Sequence, residues 1–134
     1  MKLLLDTHIL LWTLADDPRL SEKAREWIEN ADAEIYYSVI SPWETEIKYS
    51  VHPEMIRISG NELTRYCDEA GFHCLPVASR HVRVLSSLKR RENAQEHKDP
   101  FDRMMISQAK ADGMLFLTHD RLLSGYDEAC IVMV

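Results

Sequence analysis

The sequence predicts an α/β protein in which one parallel sheet is built from strands that alternate with helices. Several short apolar segments stop abruptly at polar residues, which is typical of strands that are buried on both faces. Between them, apolar residues recur every three or four positions, as they do in amphipathic helices. This alternation favours parallel strand pairing through helical crossovers. The chain has 134 residues, the usual size of one domain, so we expect a single domain over residues 1–134.

The first part of the chain is predicted to form a strand and two helices. Lys2 to Leu5 is an unbroken apolar run that stops at Asp6, which indicates a buried strand. Helical spacing follows from His8 to Leu14. Ser21 is a preferred residue just before a helix and predicts a second helix that ends at Ile28.

The middle of the chain is predicted to contain two strands and two helices. Glu34 to Ile40 is rich in Tyr and Ile and indicates the second strand. Ser41-Pro42 then begins a helix. A helix from Asn61 to Ala70 ends before Gly71, a residue suited to the left-handed conformation that follows many helices. We expect the third strand at Phe72 to Val77.

The last part of the chain contains the strongest helix signal. Ser79 to Leu88 is predicted to be helical, and the polar segment Lys89 to Lys98 is predicted to be a loop. Pro100 to Asp112 combines apolar periodicity with a proline at its start, which predicts a long helix. Met114 to Leu117 is predicted to be a fourth strand, and Ile131 to Val134 an edge strand.

The start of that long helix carries two carboxylates. Asp99 suits the position before the helix and Pro100 suits the first helical position, so Asp102 falls in the first turn. The helix dipole favours acidic residues at both places. Helix capping alone therefore explains this segment when it is considered by itself.

Four acidic residues are nevertheless predicted to meet at one edge of the sheet. Asp6 and Asp120 each follow the carboxyl end of a predicted strand. Glu44 lies in the first turn of the helix after the second strand, and Asp102 lies in the first turn of the helix before the fourth. In open parallel sheets, ligands bind beyond the carboxyl ends of the strands. These four carboxylates are therefore candidates for a shared site.

Crowded carboxylates repel one another and take up protons unless a cation lies between them. Mg²⁺ prefers oxygen ligands and is usually held by few carboxylates together with substrate phosphate. No cysteines or histidines have the close spacing of a zinc site. Because a bound cation activates water and stabilises phosphate oxygens, the pattern points to metal-assisted phosphodiester hydrolysis.

Each acid also has a structural explanation of its own. Asp6 and Asp102 suit helix capping, and Asp120 suits a turn. Glu44 and Lys48 have the i,i+4 spacing of a weak surface ion pair. These explanations hold for the acids one at a time, whereas their convergence on one sheet edge favours a shared site.

Charge and cysteine content narrow the class of protein. The net charge of −6 argues against a surface that is basic throughout. Residues 80–110 nevertheless hold eight Lys or Arg against four acids, which fits either a phosphate-facing stretch or a solvated helix face. Three scattered cysteines without a C-x-x-C pair indicate a reducing compartment. No segment has the pattern of a signal peptide or a membrane span, so we expect a cytoplasmic protein.

Four segments of the sequence match motifs that occur together in a known family. They are LLLDTHILLW (Leu3–Trp12), SPWETEIK (Ser41–Lys48), HKDPFDR (His97–Arg103) and LTHD (Leu117–Asp120). Together they resemble the PIN-domain ribonucleases and, more narrowly, the VapC toxins of bacterial type II toxin–antitoxin systems. Each motif alone is weak, but the four in this order are specific, and the resemblance spans the whole chain. It implies a three-layer α/β/α fold with a parallel sheet of four to five strands.

The resemblance also implies endonucleolytic cleavage of RNA that depends on Mg²⁺ or Mn²⁺. Asp6, Glu44 and Asp102 fall on the family's three main acidic positions. Asp120 falls on the fourth, more variable one. By this resemblance the four acids are catalytic residues and metal ligands.

Further residues receive supporting roles from the same comparison. Thr118 falls where the family commonly has a hydroxyl that orients the acids, and Asp99 and Thr7 are expected to support the site. The basic residues that are candidates for holding the RNA backbone are Lys89, Arg90, Arg91, Lys98 and Arg103. The family implies a homodimer and a small cognate antitoxin whose tail covers the acidic groove.

One segment departs from the family, and two other classes of protein stay open. Tyr49-Ser50-Val51-His52-Pro53 stands where many relatives carry Gly-Lys-Leu, which leaves the following connection undetermined. A signalling receiver domain would also have an acidic metal pocket, but it would need an acidic pair after the first strand and a late lysine. A PIN-like fold that binds nucleic acid without catalysis would be expected to lack some of the acids.

Overall fold

Five parallel strands form a sheet through the centre of the molecule. They are β1 (Lys2–Leu5), β2 (Glu34–Ser38), β3 (His73–Leu75), β4 (Leu115–Thr118) and β5 (Ile131–Met133). In the sheet they lie in the order β3-β2-β1-β4-β5, and each neighbouring pair is parallel. The computed structural model describes all residues, 1–134.

Six α-helices connect the strands. They are α1 (Thr7–Ala15), α2 (Glu22–Ile28), α3 (Ile40–Val51), α4 (Gly60–Glu69), α5 (Ser79–Val84) and α6 (Pro100–Asp112). Short 3-10 segments follow α5 at Leu85–Ser87 and β4 at Arg121–Gly125. None of the helices has the length and hydropathy that a membrane-spanning helix needs.

The central strand β1 divides the core into two halves. Leu3 and Leu5 point to one face of the sheet, where they pack with α1, α2 and α4. Leu4 points to the other face, where it packs with Met105 and Ile106 of α6. All three leucines are fully buried, which explains why β1 is a continuous apolar run and not an alternating one. Helices on both faces of a parallel sheet make three layers, so the predicted α/β/α fold is confirmed.

The strand order is also informative about the alternative classes. Receiver domains have the flavodoxin-like order 2-1-3-4-5. In this chain β1 instead lies in the middle, with β2 and β3 on one side and β4 and β5 on the other. The topology therefore argues against a receiver domain.

Helix α6 begins and ends where the sequence predicts. The Asp99 carboxylate accepts hydrogen bonds from the backbone N–H groups of Phe101 and Asp102, and Pro100 is the first helical residue. Gly113 follows the helix with φ +67°, a conformation that most side chains disfavour. Met105, Ile106 and Ala109 are fully buried, so this helix contributes three of the ten buried residues in the second half of the core.

Other elements are shorter than predicted. Strand β2 ends at Ser38 and not at Ile40, because the Ser38 hydroxyl accepts a hydrogen bond from the Ile40 N–H and the chain turns directly into α3. Strand β3 covers His73–Leu75 and not Phe72 to Val77. It lies at the sheet edge and is followed by Pro76, which has no N–H to continue the ladder.

Candidate active site

A polar pocket of about 500 Å³ lies at the carboxyl end of β1 and β4. Between these two strands the strand order reverses, which is where open parallel sheets bind ligands. The pocket is lined by ten residues, none of them hydrophobic: Asp6, Thr7, His8, Glu44, Lys48, Asp99, Asp102, His119, Asp120 and Arg121. The structure thus brings together all four acids that the sequence predicts for the site, with Asp99 and Thr7.

Asp6 is held at the end of β1 by two hydrogen bonds. Its Oδ1 accepts from the Thr7 backbone N–H at 2.8 Å, and its Oδ2 accepts from the Thr118 hydroxyl at 2.6 Å. Burial, with smaller contributions from the Glu44 and Asp120 carboxylates, raises the pKa of Asp6 to about 6, although both hydrogen bonds lower it. Asp6 therefore caps α1 and also faces other negative charges.

Thr118 connects Asp6 with Asp120. It is fully buried, and its hydroxyl oxygen accepts a hydrogen bond of 3.1 Å from the Asp120 backbone N–H while the hydroxyl donates to Asp6. Asp120 in turn accepts a hydrogen bond of 3.0 Å from the Leu122 N–H and begins the following 3-10 segment. A single hydroxyl therefore sets the positions of two of the four acids.

Glu44 is positioned from the first turns of α1 and α3. The Thr7 hydroxyl donates to Glu44 Oε1 at 2.9 Å and lies 2.8 Å from the Ser41 hydroxyl. Lys48 Nζ lies 3.2 Å from Glu44 Oε2, so the i,i+4 pair exists at the pocket wall. Glu44 is only 8% exposed, whereas the Lys48 side chain is 47% exposed, so the pair joins a buried acid to a lysine at the rim of the pocket.

Asp102 completes the acidic pocket from α6. Burial, and then the carboxylates of Asp6, Asp99, Glu44 and Asp120 in that order, raise the pKa of Asp102 to about 8. Its Oδ2 lies 3.1 Å from His97 Nε2. The same crowding of negative charge thus acts on acids from β1 and from α6.

The donor set of the pocket fits a hard divalent cation. The convergent groups are carboxylate oxygens, which Mg²⁺ and Mn²⁺ prefer, and no cysteine lines the pocket. Burial is the main cause of the raised pKa values of Asp6 and Asp102, and repulsion from the neighbouring carboxylates adds to it. No three of these side chains form a ready ligand cluster, and Mg²⁺ commonly binds through one or two carboxylates while it keeps several waters.

Four pocket residues have side chains that the sequence did not single out for the site. They are His8, Lys48, His119 and Arg121. His119 and Arg121 flank Asp120, and Lys48 is one helical turn from Glu44, so adjacency to the acids was the available signal. Lys48 and Arg121 are the lysine and the arginine among the lining residues, and Lys48 Nζ lies 3.2 Å from Glu44 Oε2.

The five basic residues that the sequence offered for RNA binding lie outside the pocket lining. Arg103 points inward, where it donates to the Tyr126 hydroxyl at 3.2 Å and to the Leu85 carbonyl at 3.3 Å. The Arg90 guanidinium packs 4.4 Å above the Tyr126 ring. Lys98, by contrast, is 80% exposed beside Glu96. Arg90 and Arg103 therefore have structural contacts that charge patterning did not reveal.

Comparison with known protein families identifies the fold. A family model described as the PIN domain matches residues 3–129. The chain belongs to the PIN domain family. A search of curated proteins finds no match.

Solved structures with the same fold include toxin–antitoxin complexes. DNA-bound VapBC from Salmonella typhimurium has a TM-score of 0.67 at 16% identity, over 99% of this chain and 98% of that chain. VapBC2 from Rickettsia felis, bound to a DNA fragment from their promoter, has a TM-score of 0.63 at 13% identity, and the match covers 100% of this chain and 98% of that chain. A toxin–antitoxin complex from Klebsiella pneumoniae has a TM-score of 0.60 at 16% identity, and the match covers 97% of this chain and 95% of that chain. At these identities the likeness concerns the fold of this PIN domain.

Proposed function

We propose that this PIN domain is a metal-dependent endoribonuclease and the toxin of a type II toxin–antitoxin pair. The observation that carries the proposal is the pocket at the ends of β1 and β4, where four carboxylates converge and no hydrophobic side chain intrudes. PIN domains are generally nucleases, and the fold neighbours include VapBC complexes.

In this proposal Asp6, Glu44, Asp102 and Asp120 hold Mg²⁺ or Mn²⁺. When bound, the cation supplies charge neutralisation at the scissile phosphate and activation of water for attack on phosphorus. Negative charge on the carboxylates is the chain's own contribution to cation binding. Because the pKa values of Asp6 and Asp102 are raised, protons compete with a cation for these two carboxylates.

The neighbouring hydroxyls orient these carboxylates. Thr118 fixes one oxygen of Asp6, and Thr7 fixes one oxygen of Glu44. Each hydrogen bond restricts the rotation of the carboxylate, so the carboxylate is preorganised for a ligand. Asp99 caps α6 and thereby places Asp102 at the start of that helix.

Lys48 and Arg121 are the best-placed residues for contact with RNA phosphates. Both line the pocket that holds the acids, and a phosphate bound between them would meet positive charge beside the proposed cation. Lys89, Arg91 and Lys98 are candidates for contacts further along the RNA backbone.

The proposed partners follow from the family resemblance. We expect a homodimer and an antitoxin with a segment that covers the acidic pocket, in a cytoplasmic protein that acts as one domain. The fold neighbours include VapBC pairs and a toxin–antitoxin complex, which supports a partner of this kind.

The test of the proposal is cleavage of RNA by the purified protein without antitoxin. We expect cleavage with Mg²⁺ or Mn²⁺, loss of cleavage with EDTA, and no cleavage of single-stranded DNA of the same sequence. Equal cleavage of DNA would contradict the RNA assignment. Binding of RNA without cleavage in either metal would instead favour the non-catalytic nucleic-acid-binding module.

A further inference from the structure

The His97 side chain lies buried between two polar groups at the edge of the pocket. Only 4% of it is exposed, although it belongs to the polar loop that precedes α6. Its Nδ1 lies 2.7 Å from the Tyr126 hydroxyl, and its Nε2 lies 3.1 Å from Asp102 Oδ2. The imidazole therefore bridges the protein interior and one of the acids.

The hydrogen-bond network determines the direction of these contacts. Arg103 can only donate, so the Tyr126 oxygen accepts its hydrogen bond of 3.2 Å. The only other hydrogen-bond partner of this hydroxyl is His97 Nδ1, so the Tyr126 hydroxyl donates its proton to that nitrogen. A neutral His97 with an acceptor at Nδ1 carries its proton on Nε2 and donates it to Asp102. All three hydrogen bonds point the same way, from Arg103 towards Asp102.

The far end of this chain of hydrogen bonds is rigid. Tyr126 is 2% exposed, and its ring is covered by the Arg90 guanidinium. Arg90 also donates to the backbone carbonyls of Leu122 and Gln95. Tyr126 pairs with Arg90 through an isolated backbone bridge, so the loop that carries His97 is fastened to the segment that carries Tyr126.

We propose that His97 is a positioning residue for Asp102, with its tautomer set by Tyr126 and Arg103. His97 engages only Oδ2 of Asp102, so Oδ1 stays available to a cation in the pocket. The inference rests on the proposed function, because it gives Asp102 a role in metal binding. Hydrogen-bond partners of this kind fix the orientation of a ligating group, and their loss typically lowers metal affinity or activity about 10–100-fold.

Two variants of His97 separate positioning from simple packing. In His97→Gln the amide nitrogen reaches approximately the place of Nε2 and can still donate to Asp102. In His97→Asn the amide ends near the place of Nδ1 and cannot reach Asp102. Both lose the ring that packs edge-on against Tyr126, so a purely structural role predicts equal effects on the two.

The experiment measures Mn²⁺ affinity by calorimetry and RNA cleavage in Mn²⁺ for the wild type and both variants, with the thermal midpoint as a control. We expect His97→Asn to bind Mn²⁺ about 10–100-fold more weakly and His97→Gln to keep most of the affinity. Unchanged affinity in His97→Asn, or an equal loss in both variants, would overturn the proposal.

Nitrogen-15 NMR of the imidazole tests the direction of the hydrogen bonds without any catalytic assay. We expect a protonated Nε2 and an unprotonated Nδ1 in the wild type. In Tyr126→Phe, which removes the donor to Nδ1, we expect both tautomers to be populated. The opposite tautomer in the wild type would overturn the proposal.

The outcomes also distinguish this inference from the proposed function. If the wild type binds Mn²⁺ but does not cleave RNA, the proposed ribonuclease activity is contradicted. The role of His97 is then still tested by the Mn²⁺ affinities of the two variants. A wild type and a His97→Asn variant that both cleave RNA and bind Mn²⁺ equally contradict only the role of His97. A wild type that does not bind Mn²⁺ overturns both.

Discussion

The Thr118 hydroxyl donates a hydrogen bond of 2.6 Å to Asp6 Oδ2, and this contact joins the ends of the two central strands at the acidic pocket. The same oxygen accepts from the Asp120 N–H. Because Thr118 is fully buried, no water can replace either contact without rearrangement. The placement of two acids thus depends on one side chain that carries no charge.

Replacement of Thr118 tests this dependence. Thr118→Val removes the hydroxyl but keeps the shape, so Asp6 loses a donor and the Asp120 N–H loses an acceptor. We expect the free energy of unfolding to fall by about 1–3 kcal/mol and RNA cleavage to fall with it. The measurements are urea denaturation and RNA cleavage in Mg²⁺.

Thr118→Ser is the matched control, because it keeps the hydroxyl and loses only a methyl group. We expect the Ser variant to retain more stability and more activity than the Val variant. Equal behaviour of the two variants would mean that the hydroxyl has no role in holding Asp6.

Divalent cations are expected to stabilise the folded protein. A ligand that binds only the folded state adds about 2.7 kcal/mol at a hundredfold excess over its Kd. The effect should grow as the pH rises from below 6 to above 8, because burial raises the pKa of Asp6 to about 6 and that of Asp102 to about 8, and bound protons compete with the cation. The measurement is the thermal midpoint with Mn²⁺ and with EDTA over this pH range.

Asp102→Asn should remove most of that stabilisation by Mn²⁺. Asp32→Asn serves as its control, since Asp32 is exposed and lies outside the pocket. A midpoint that rises equally with Mn²⁺ in wild type, Asp102→Asn and Asp32→Asn would place the cation elsewhere.

Asp112 is expected to contribute to acid stability away from the pocket. It accepts two hydrogen bonds from Arg80, at 2.8 Å and 2.9 Å, and one from His81 Nε2 at 3.0 Å. His81 Nε2 is the donor because His81 Nδ1 accepts a hydrogen bond from the Ala78 N–H. The hydrogen bonds with Arg80, and then with His81, lower the pKa of Asp112 from 3.8 to about 2. A carboxyl whose pKa is lowered by folding adds stability above 3.8, and that contribution is lost as the pH falls towards 2.

Asp112→Asn should therefore lower the free energy of unfolding at neutral pH by about 1–2 kcal/mol, a modest amount because Arg80 is half exposed. The same substitution should also reduce the loss of stability that the wild type shows as the pH falls from 3.8 to about 2. Asp127→Asn is the control, since its pair with Arg91 is exposed on both sides. The measurement is denaturation at several pH values. An equally small loss in the free energy of unfolding for both variants would contradict the contribution of Asp112.

Arg121 is expected to bind RNA phosphate and not the cation. Arg121→Gln should weaken RNA binding and lower the slope of log affinity against log salt concentration by about 1. Mn²⁺ affinity should stay close to that of the wild type. Arg65→Gln is a control at an exposed pair with Glu69 outside the pocket, and equal RNA affinity of both variants at all salt concentrations would exclude the contact.

Much of the fold could be predicted because its signals are local. Helix α6 has its cap, its proline and its terminal glycine within the helix or next to it, and Leu3, Leu4 and Leu5 of β1 form an apolar run because both faces of the strand are covered there. The ends of β2 and β3 were less predictable. They depend on a hydrogen bond to the Ser38 hydroxyl and on the position of β3 at the sheet edge. The strand propensities of the residues give information about neither.

The acids of the candidate site could be predicted because each follows a strand or lies near the start of a helix, and topology then brings those ends together. The groups that orient them could not be predicted from local patterns. Thr118 is 112 residues from Asp6, and Tyr126 is 29 residues from His97. For the same reason the inward orientation of Arg103 was not visible, because its partners come from the 3-10 segment after α5 and from the segment after β4.

The most direct test of the central claim is Mn²⁺-dependent RNA cleavage by the double variant Asp6→Asn, Asp102→Asn, with Asp32→Asn measured alongside. The account predicts that the wild type and Asp32→Asn cleave RNA at similar rates, whereas the folded double variant does not cleave it. Undiminished cleavage by the double variant would contradict the assignment of this acidic pocket as the active site.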